Sequence, residues 1–306
     1  MVQTPAKLPN SATVREVGPR DGLQNEEPVA VADRVRLVDA LSRTGLRRIE
    51  VGAFVHPDAI PPMAGSEEVF ARIERVPGVR YTALVPNARG VERAFAAGAD
   101  EVEVVVSAST THNERNVRRT TEESMKAVPA LVTMAHDAAI PVQGIVATAF
   151  GCPYEGDVDP IRVAALVHAY LDAGCDSVCL GDTTGMATPT RVWDVIGRLP
   201  ACDLTLHLHN TRGTGLANVL AALEAGVTNY DASVGGMGGC PYAPGATGNI
   251  VTEDLVHMLE DMGVDTGVDL GALVACAAMA EEIVGRELPS QVLRAGPRTA
   301  ATAAAR

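Results

Sequence analysis

The sequence predicts an α/β protein, specifically a (β/α)8 TIM barrel with additional C-terminal helices. Short β-branched runs alternate with longer amphipathic stretches, giving eight strand-then-helix units before Glu260. Eight such units within about 250 residues is the usual size of this barrel. Several of the amphipathic stretches stop at a glycine that opens the next unit, as in AAGAD (Gly98), DAGCD (Gly174) and EAGVT (Gly226). Glycine there supplies the left-handed conformation that ends a helix. An open doubly wound sheet would need a GxGxxG-type turn after its first strand, and VGPRDGLQ is not one.

Taken in order, Thr13–Val17 reads as the first strand, followed by a helix over Val29–Thr44. Arg47–Val51 is the second strand, with a short helix at Ser66–Arg72. Val79–Val85 precedes a helix at Arg89–Ala97, and Glu101–Ser107 precedes Thr121–Ala138. Pro141–Thr148 leads to Pro160–Asp172, and Ser177–Leu180 to Pro189–Leu199. Leu204–His209 leads to Leu216–Ala225, and Thr228–Asp231 to a last unit helix near Asn249–Glu260. Val268–Leu288 reads as one or two extra helices. One catalytic domain over residues 11–288 is expected, with 289–306 a flexible tail, because GPRTAATAAAR has no apolar face.

Composition narrows the function classes. The 306 residues are 47% hydrophobic, enough for a substantial core, and only 3% aromatic, too few for a base-stacking surface. Lys and Arg number 25 against 38 Asp and Glu, a net charge of −13, which argues against nucleic acid or an anionic membrane as partner. No apolar run approaches the ~20 residues that cross a bilayer, and Met1–Ser11 lacks a signal-peptide core. The six cysteines show no CxxC pair and no framework spacing, which fits a reduced, cytoplasmic protein.

Catalytic groups of such a barrel sit where strands end. The first strand ends in VGPRDGLQNE, placing Arg20 and Asp21 between Gly18 and Gly22, as either a polar turn with an ion pair or part of a site. Glu50 lies within an apolar strand, where it is either paired or snorkelling to the surface. In LTLHLHNT, His207 and His209 share one strand face and Leu206 and Leu208 the other, an arrangement that suits metal ligation. Asn210 stands beside the pair, positioned to orient it or to bind substrate. Asp182, in LGDTTG, is either a helix cap or a carboxylate aimed at a substrate hydroxyl.

GGMGGCPYAPGATGN, residues 235–249, holds six Gly and two Pro in fifteen residues and so reads as a loop that approaches a ligand or closes over one. Cys240 lies at its middle, Asn249 closes it, and Cys152 sits in a second Gly/Pro loop. Asp21, His207, His209 and Asn249 belong to the first, seventh and eighth strand ends, which become neighbours on closure. Together they form an N/O donor set for catalytic Mg2+ or Mn2+.

These motifs, VGPRDGLQNE, GCPYEG, LGDTTG, LHLHN and GGMGGCPYAPGATGN with TEDLVHMLE after it, resemble those of the hydroxymethylglutaryl-CoA lyase family. That family belongs to a larger group of metal-dependent barrel lyases and Claisen-type synthases. The resemblance runs from about Val14 to Leu288. It implies metal ligands Asp21, His207, His209 and Asn249, holding Mg2+ or Mn2+. It further implies a catalytic set of Arg20, Cys240, His207, Asp182 and Glu50, with substrate contacts from Arg20, Gln24 and Thr183. Glu253 and Asn210 would support the site.

The reaction so implied is cleavage of the C2–C3 bond of a 3-hydroxy-3-methylglutaryl-CoA-type thioester to acetyl-CoA and acetoacetate. The divalent ion would hold the tertiary hydroxyl and ease loss of its proton. His207, Asp182 or a water would relay that proton, Arg20 would stabilise the enolate oxygen, and Cys240 would protonate the enolate carbon. A small acyl-CoA partner, no nucleic acid, no membrane, a homo-oligomer and a place in leucine breakdown complete the expectation.

Ala53 and Cys179 stand where the family has serine, Asn210 replaces an Asp, and Gln143 and Glu27 occupy positions expected to be basic near the CoA end. These departures bear on acyl specificity and CoA affinity. The alternatives are a lyase for a longer-branched 3-hydroxyglutaryl-CoA and a Claisen-condensing acyl synthase, which would carry an extension beyond Arg306. A third is a silent acyl-CoA-binding barrel.

Overall fold

A computed structural model describes residues 8–238 and 247–298. Eight parallel strands close into a ring in sequence order: β1 (Thr13–Glu16), β2 (Arg48–Ala53), β3 (Arg80–Leu84), β4 (Glu101–Ser107), β5 (Val142–Ala147), β6 (Ser177–Gly181), β7 (Leu204–His207) and β8 (Asn229–Ala232). Around it lie α1 (Val31–Leu41), α2 (Ser66–Arg72), α3 (Ala88–Ala97), α4 (Thr110–Val117) and α5 (Thr121–Asp137). The ring of helices continues with α6 (Pro160–Asp172), α7 (Pro189–Ile196), α8 (Gly215–Glu224) and α9 (Thr252–Asp261). The C-terminal additions are α10 (Leu270–Val284) and α11 (Gln291–Ala295). The expected barrel with extra C-terminal helices is the observed fold.

Alternation explains where the core sits. One face of each strand is apolar and packs on the helices: Val14, Ile49, Val102, Val142, Val178, Leu206 and Tyr230 are all buried. The opposite face points into the ring, which in most barrels is filled with branched apolar side chains. Here it is largely ionic and polar. Arg15 on β1 donates through Nε and Nη2 to the two oxygens of Asp231 on β8, at 2.8 and 2.6 Å. Its Nη1 reaches Glu103 Oε1 on β4 at 2.6 Å, and Thr82 Oγ1 on β3 donates to that same oxygen. Gln143, expected near the CoA end, lies instead in this interior, where its Nε2 donates to Ser177 Oγ and Thr205 Oγ1. Buried charges of this kind are tolerated only because each is paired.

Four sequence expectations change. The segment 108–120, passed over as loop, holds α4; apart from Val117 it has no apolar periodicity to reveal it, and it is fixed by Ser109 Oγ accepting from the amide of His112. The seventh strand stops at His207 because residues 208–210 leave the ring to pair with 248–250. For the same reason the helix expected from Asn249 starts at Thr252. Residues 289–298, expected as part of a flexible tail, include α11. The Asp254 carboxylate accepts from the amides of Gln291 and Val292 there, and Ser290 Oγ caps Leu293. Among the described residues no helix is long and apolar enough to cross a membrane.

Candidate active site

β1 ends in a wide turn. Residues Gly18–Gly22 form one turn of π-helix, with the amide of Gly22 donating to Val17 O at 3.1 Å. π-Turns are uncommon and concentrate at functional sites. This one brings Arg20 and Asp21, adjacent in sequence, to the C-terminal mouth of the barrel together. Arg20 Nε donates to Glu50 Oε1 at 2.5 Å and its Nη1 to Asp21 Oδ1 at 2.6 Å. Glu50 is fully buried and paired, so the snorkelling alternative is gone.

Asp21 is also gripped by Gln24 Nε2 at 2.6 Å and by Asn249 Nδ2 at 2.7 Å. Burial works against the charged form. Arg20, then the imidazoles of His207 and His209 and the Asn249 amide, outweigh it and hold the Asp21 carboxyl at about 2. It is a carboxylate at any physiological pH.

The two imidazoles converge on this carboxylate. His207 Nε2 and His209 Nε2 lie 3.2 Å apart, and His207 Nε2 is 3.8 Å from Asp21 Oδ2. His209 stays in place after β7 ends because it bridges to Asn249 across the 208–250 pairing. Burial and the neighbouring His207 keep its imidazole neutral, down to about 3. Asp21, His207 and His209 present one ligand atom each, all within 4.8 Å of one another.

Asn249 Oδ1 and His209 Nδ1 are buried with no hydrogen-bond partner among the described residues. An unsatisfied buried amide oxygen beside a carboxylate and two imidazole nitrogens is the donor set a divalent cation completes, so the residues fit one. Gly238 closes the cluster from above. Its φ is +92°, and an added Cβ would lie 2.6 Å from Asn249 Nδ2 and 3.0 Å from Asp21 O, so only glycine is accommodated there.

A group passed over in the sequence completes the cluster. Asp231 Oδ2 lies 3.2 Å from His207 Nδ1 while Arg15 holds both of its oxygens. A carboxylate on the far nitrogen fixes an imidazole's ring plane and leaves its other nitrogen facing the ion. Burial opposes the Asp231 charge, but Arg15 and His207 keep its carboxyl well below the usual range. Arg15, Glu103 and Asp231 each gave the same signal as Glu50, a charge in mid-strand on the inward register. Glu103 neighbours Glu50 in the barrel interior. Burial pushes Glu50 well up while Arg15 helps to hold Glu103 down, so of these two carboxyls Glu50 is the one that keeps a proton.

The cluster opens into a cavity of about 650 Å3 whose wall includes Arg20, Asp21, Gln24, Thr183, His207 and His209. Glu50, Asp182, Asn210, Asn249 and Glu253 are not on that wall. Asp182 is not the cap of α7, whose N-cap is Thr188; the Oδ1 of Asp182 instead holds the preceding turn, accepting from the amides of Met186 and Ala187 at 2.7 and 3.0 Å. Burial raises its carboxyl to about 6. Asn210 Oδ1 accepts from Gly215 N at the start of α8, and its carbonyl accepts from Thr247 Oγ1. Asn210 therefore braces the returning segment rather than the imidazoles. Both oxygens of Glu253 accept from Gly235 N at 3.1 Å, fixing the exit from β8. Cys152 is buried against Ser109 Oγ, and Cys179 lies in the cavity wall. Cys240, expected as the catalytic thiol, lies outside the described residues.

A closed eight-stranded ring with a His–His–Asp cluster at its C-terminal mouth defines a barrel enzyme with a candidate divalent-metal centre. The chain belongs to the HMGL-like family, whose model matches residues 12–280, and it is a carbon–carbon lyase. A crystal structure of an HMG-CoA lyase from Bacillus subtilis superposes with a TM-score of 0.92, at 45% identity over 94% of this chain and 98% of that one. The 3-hydroxy-3-isohexenylglutaryl-CoA/hydroxymethylglutaryl-CoA lyase of Pseudomonas aeruginosa is 43% identical over 94% of this chain and 98% of its own. The (R)-citramalyl-CoA lyase of Chloroflexus aurantiacus is 44% identical over 94% and 95%.

Proposed function

We propose that this lyase cleaves the C2–C3 bond of 3-hydroxy-3-methylglutaryl-CoA, giving acetyl-CoA and acetoacetate, in the cytoplasm. The observation that carries the reading is the convergence of Asp21, His207 and His209 beside Arg20 on one cavity wall. Asp21, His207, His209 and Asn249 would hold Mg2+ or Mn2+. A bound ion of this type lowers the pKa of a hydroxyl and neutralises the charge it leaves.

Arg20 faces the thioester carbonyl. Its guanidinium is fixed by Glu50 and Asp21, so it stabilises the enolate oxygen without reorganising, an effect of about 3–4 kcal/mol in comparable sites. The tertiary hydroxyl loses its proton to a water or toward Asp182; His207, the other relay expected, has Nδ1 on Asp231 and Nε2 turned to the metal site, which leaves it no nitrogen for that proton. The C2–C3 bond breaks, the electron pair moves onto the thioester, and acetoacetate separates. Cys240, on the glycine-rich loop of GGCPYA, returns a proton to the enolate carbon to give acetyl-CoA. Gln24 and Thr183 contact the acyl group from the wall, while Glu253 and Asn210 hold the segments that carry Asn249.

A second reading, a longer 3-substituent, is favoured by the apolar inward positions Leu84, Val105, Ile145 and Ala147 on the cavity wall. The test is a thioester panel with Mg2+ or Mn2+ and with EDTA, comparing 3-methyl, 3-isohexenyl and citramalyl substrates. The methyl substrate is expected to have the highest kcat/KM, with turnover abolished by EDTA. A preference for the isohexenyl thioester moves the assignment to the second reading, and metal-independent turnover overturns the metal centre. Cys240→Ala is expected to lower kcat by about 10²-fold or more, measured in reducing buffer.

A further inference from the structure

We propose that Arg118 and Arg119, with Arg115 beside them, form a rim that binds the phosphates at the nucleotide end of a CoA thioester. The inference rests on the thioester reading above and adds the part of the site that grips the carrier rather than the acyl group. The cavity that holds Arg20 and His207 at one end is lined at the other by Asn116, Val117 and Arg119, so one continuous space joins the reacting groups to the α4–α5 turn. A CoA thioester placed with its carbonyl at Arg20 must send its long arm out of that space, and its pyrophosphate and 3′-phosphate need cations at the exit.

The rim differs electrostatically from the rest of the molecule. The chain carries −13, and at the barrel mouth most arginines are already engaged. Arg20 pairs with Glu50, Arg93 with Glu67, Arg162 with Glu122 and Arg191 with Asp157. Arg212 is spent on the carbonyls of Thr184 and Gly185, and Arg286 on Glu26. Arg118 and Arg119 are exposed and form no ion pair with the described residues, and Arg115 lies over the Tyr154 ring at 4.3 Å. Their acidic neighbours are committed, since Glu122 faces Arg162 and Glu123 closes the capping box with Thr120. Unpaired guanidiniums in a chain of opposite net charge suit phosphate oxygens, which they bind in bidentate fashion.

The turn is also held in place. Asn113, 1% exposed, accepts from Ser107 N at the end of β4 through Oδ1. Its Nδ2 reaches Arg119 O at 2.8 Å, Thr120 O at 3.0 Å and Ser124 Oγ at 2.7 Å. One buried amide thus ties the backbone of the arginine turn to the strand that walls the cavity, so the turn that carries the cations keeps its place relative to the reacting groups.

The test compares wild type, Arg118→Gln/Arg119→Gln and the control Arg89→Gln, another exposed arginine of the same barrel face. Two substrates share one acyl group, the CoA thioester and the N-acetylcysteamine thioester, which has no phosphates. The double variant is expected to raise KM for the CoA thioester about tenfold or more at unchanged kcat. It should leave the short thioester unaffected, and added salt should erode the difference. Titration calorimetry with adenosine 3′,5′-bisphosphate alone should show saturable binding to wild type that weakens by a similar factor in the double variant. Equal KM values and equal bisphosphate binding overturn the proposal, as does a KM rise in Arg89→Gln instead. If wild type cleaves neither thioester, the thioester reading fails, and bisphosphate binding still decides the rim.

Discussion

Glu16 and Glu253 are buried carboxyls whose oxygens are used by backbone amides. Glu16 Oε1 accepts from Gly18 and Val234 at 2.7 and 2.8 Å, and its Oε2 from Thr252 Oγ1 at 2.7 Å. Burial outweighs these bonds and raises both carboxyls to about 7. A carboxyl raised in the folded state binds its proton more tightly there than in the unfolded chain, where it titrates near 4.5. Its stabilising contribution is therefore complete below pH 4.5 and lost as pH rises through 7. Each group is expected to contribute a slope of at most about 1.4 kcal/mol per pH unit in that window. Urea midpoints from pH 5 to 8 check it: Glu16→Gln should flatten the decline, and an unchanged slope would remove Glu16 from the account. At the same scale, Gly238→Ala must place a methyl against Asn249 at a positive φ. It is expected to cost about 1–3 kcal/mol locally and to weaken Mn2+ binding, read by calorimetry, with little change in the unfolding midpoint.

At the scale of elements, what the chain disclosed was governed by period. Ser66–Arg72, Glu101–Ser107 and Pro160–Asp172 fall at the bounds expected, because strand alternation, helical spacing and punctuation by Pro, Ser or Gly coincide there. α4 was not legible, since a helix held by a Ser cap and a few polar contacts leaves no apolar stripe. Nor was the departure of 208–210 from the sheet, which depends on a partner segment some forty residues away. Asp21 and the imidazoles were visible because they end strands, whereas Asp231 was not singled out: it is a mid-strand charge like Glu50, but its place beside His207 exists only once the barrel closes. Asn113→Ala removes the tie between β4 and the α4–α5 turn. It is expected to lower stability by about 1–3 kcal/mol and to raise KM for the CoA thioester more than it lowers kcat. Asp254→Ala should release α11 at a cost of about 1–2 kcal/mol, seen as faster amide exchange at Gln291 and Val292. Exchange as slow as in wild type would show that α11 is held by other contacts.

For the molecule as a whole, the interior ionisable groups form a closed circuit. His207 meets Asp231, Asp231 meets Arg15, and Arg15 meets Glu103. Glu103 meets Glu50, Glu50 meets Arg20, and Arg20 meets Asp21, which returns to His207. The groups proposed to grip the cation and the arginine proposed to face the thioester therefore share one buried framework. Arg15→Met would leave Glu103 and Asp231 with uncompensated charge, an expected loss of about 3–5 kcal/mol. Arg15→Met/Glu103→Met should recover part of it, because Asp231 keeps His207. Equal denaturation midpoints for the single and double variants would show that the circuit is not energetically coupled.

The same circuit bears on how the ring finds its alignment. Arg15 and Asp231 are direct register partners on β1 and β8, the seam where the first and last strands must meet. Sliding one past the other by a single residue would turn these charges toward the hydrocarbon layer under the helices. Hydrocarbon fillers would tolerate several alignments at that seam, whereas an ionic rung tolerates few. Its expected benefit is a lower population of mis-threaded barrels during refolding, so the double methionine variant should refold to a smaller active fraction than its equilibrium stability alone implies.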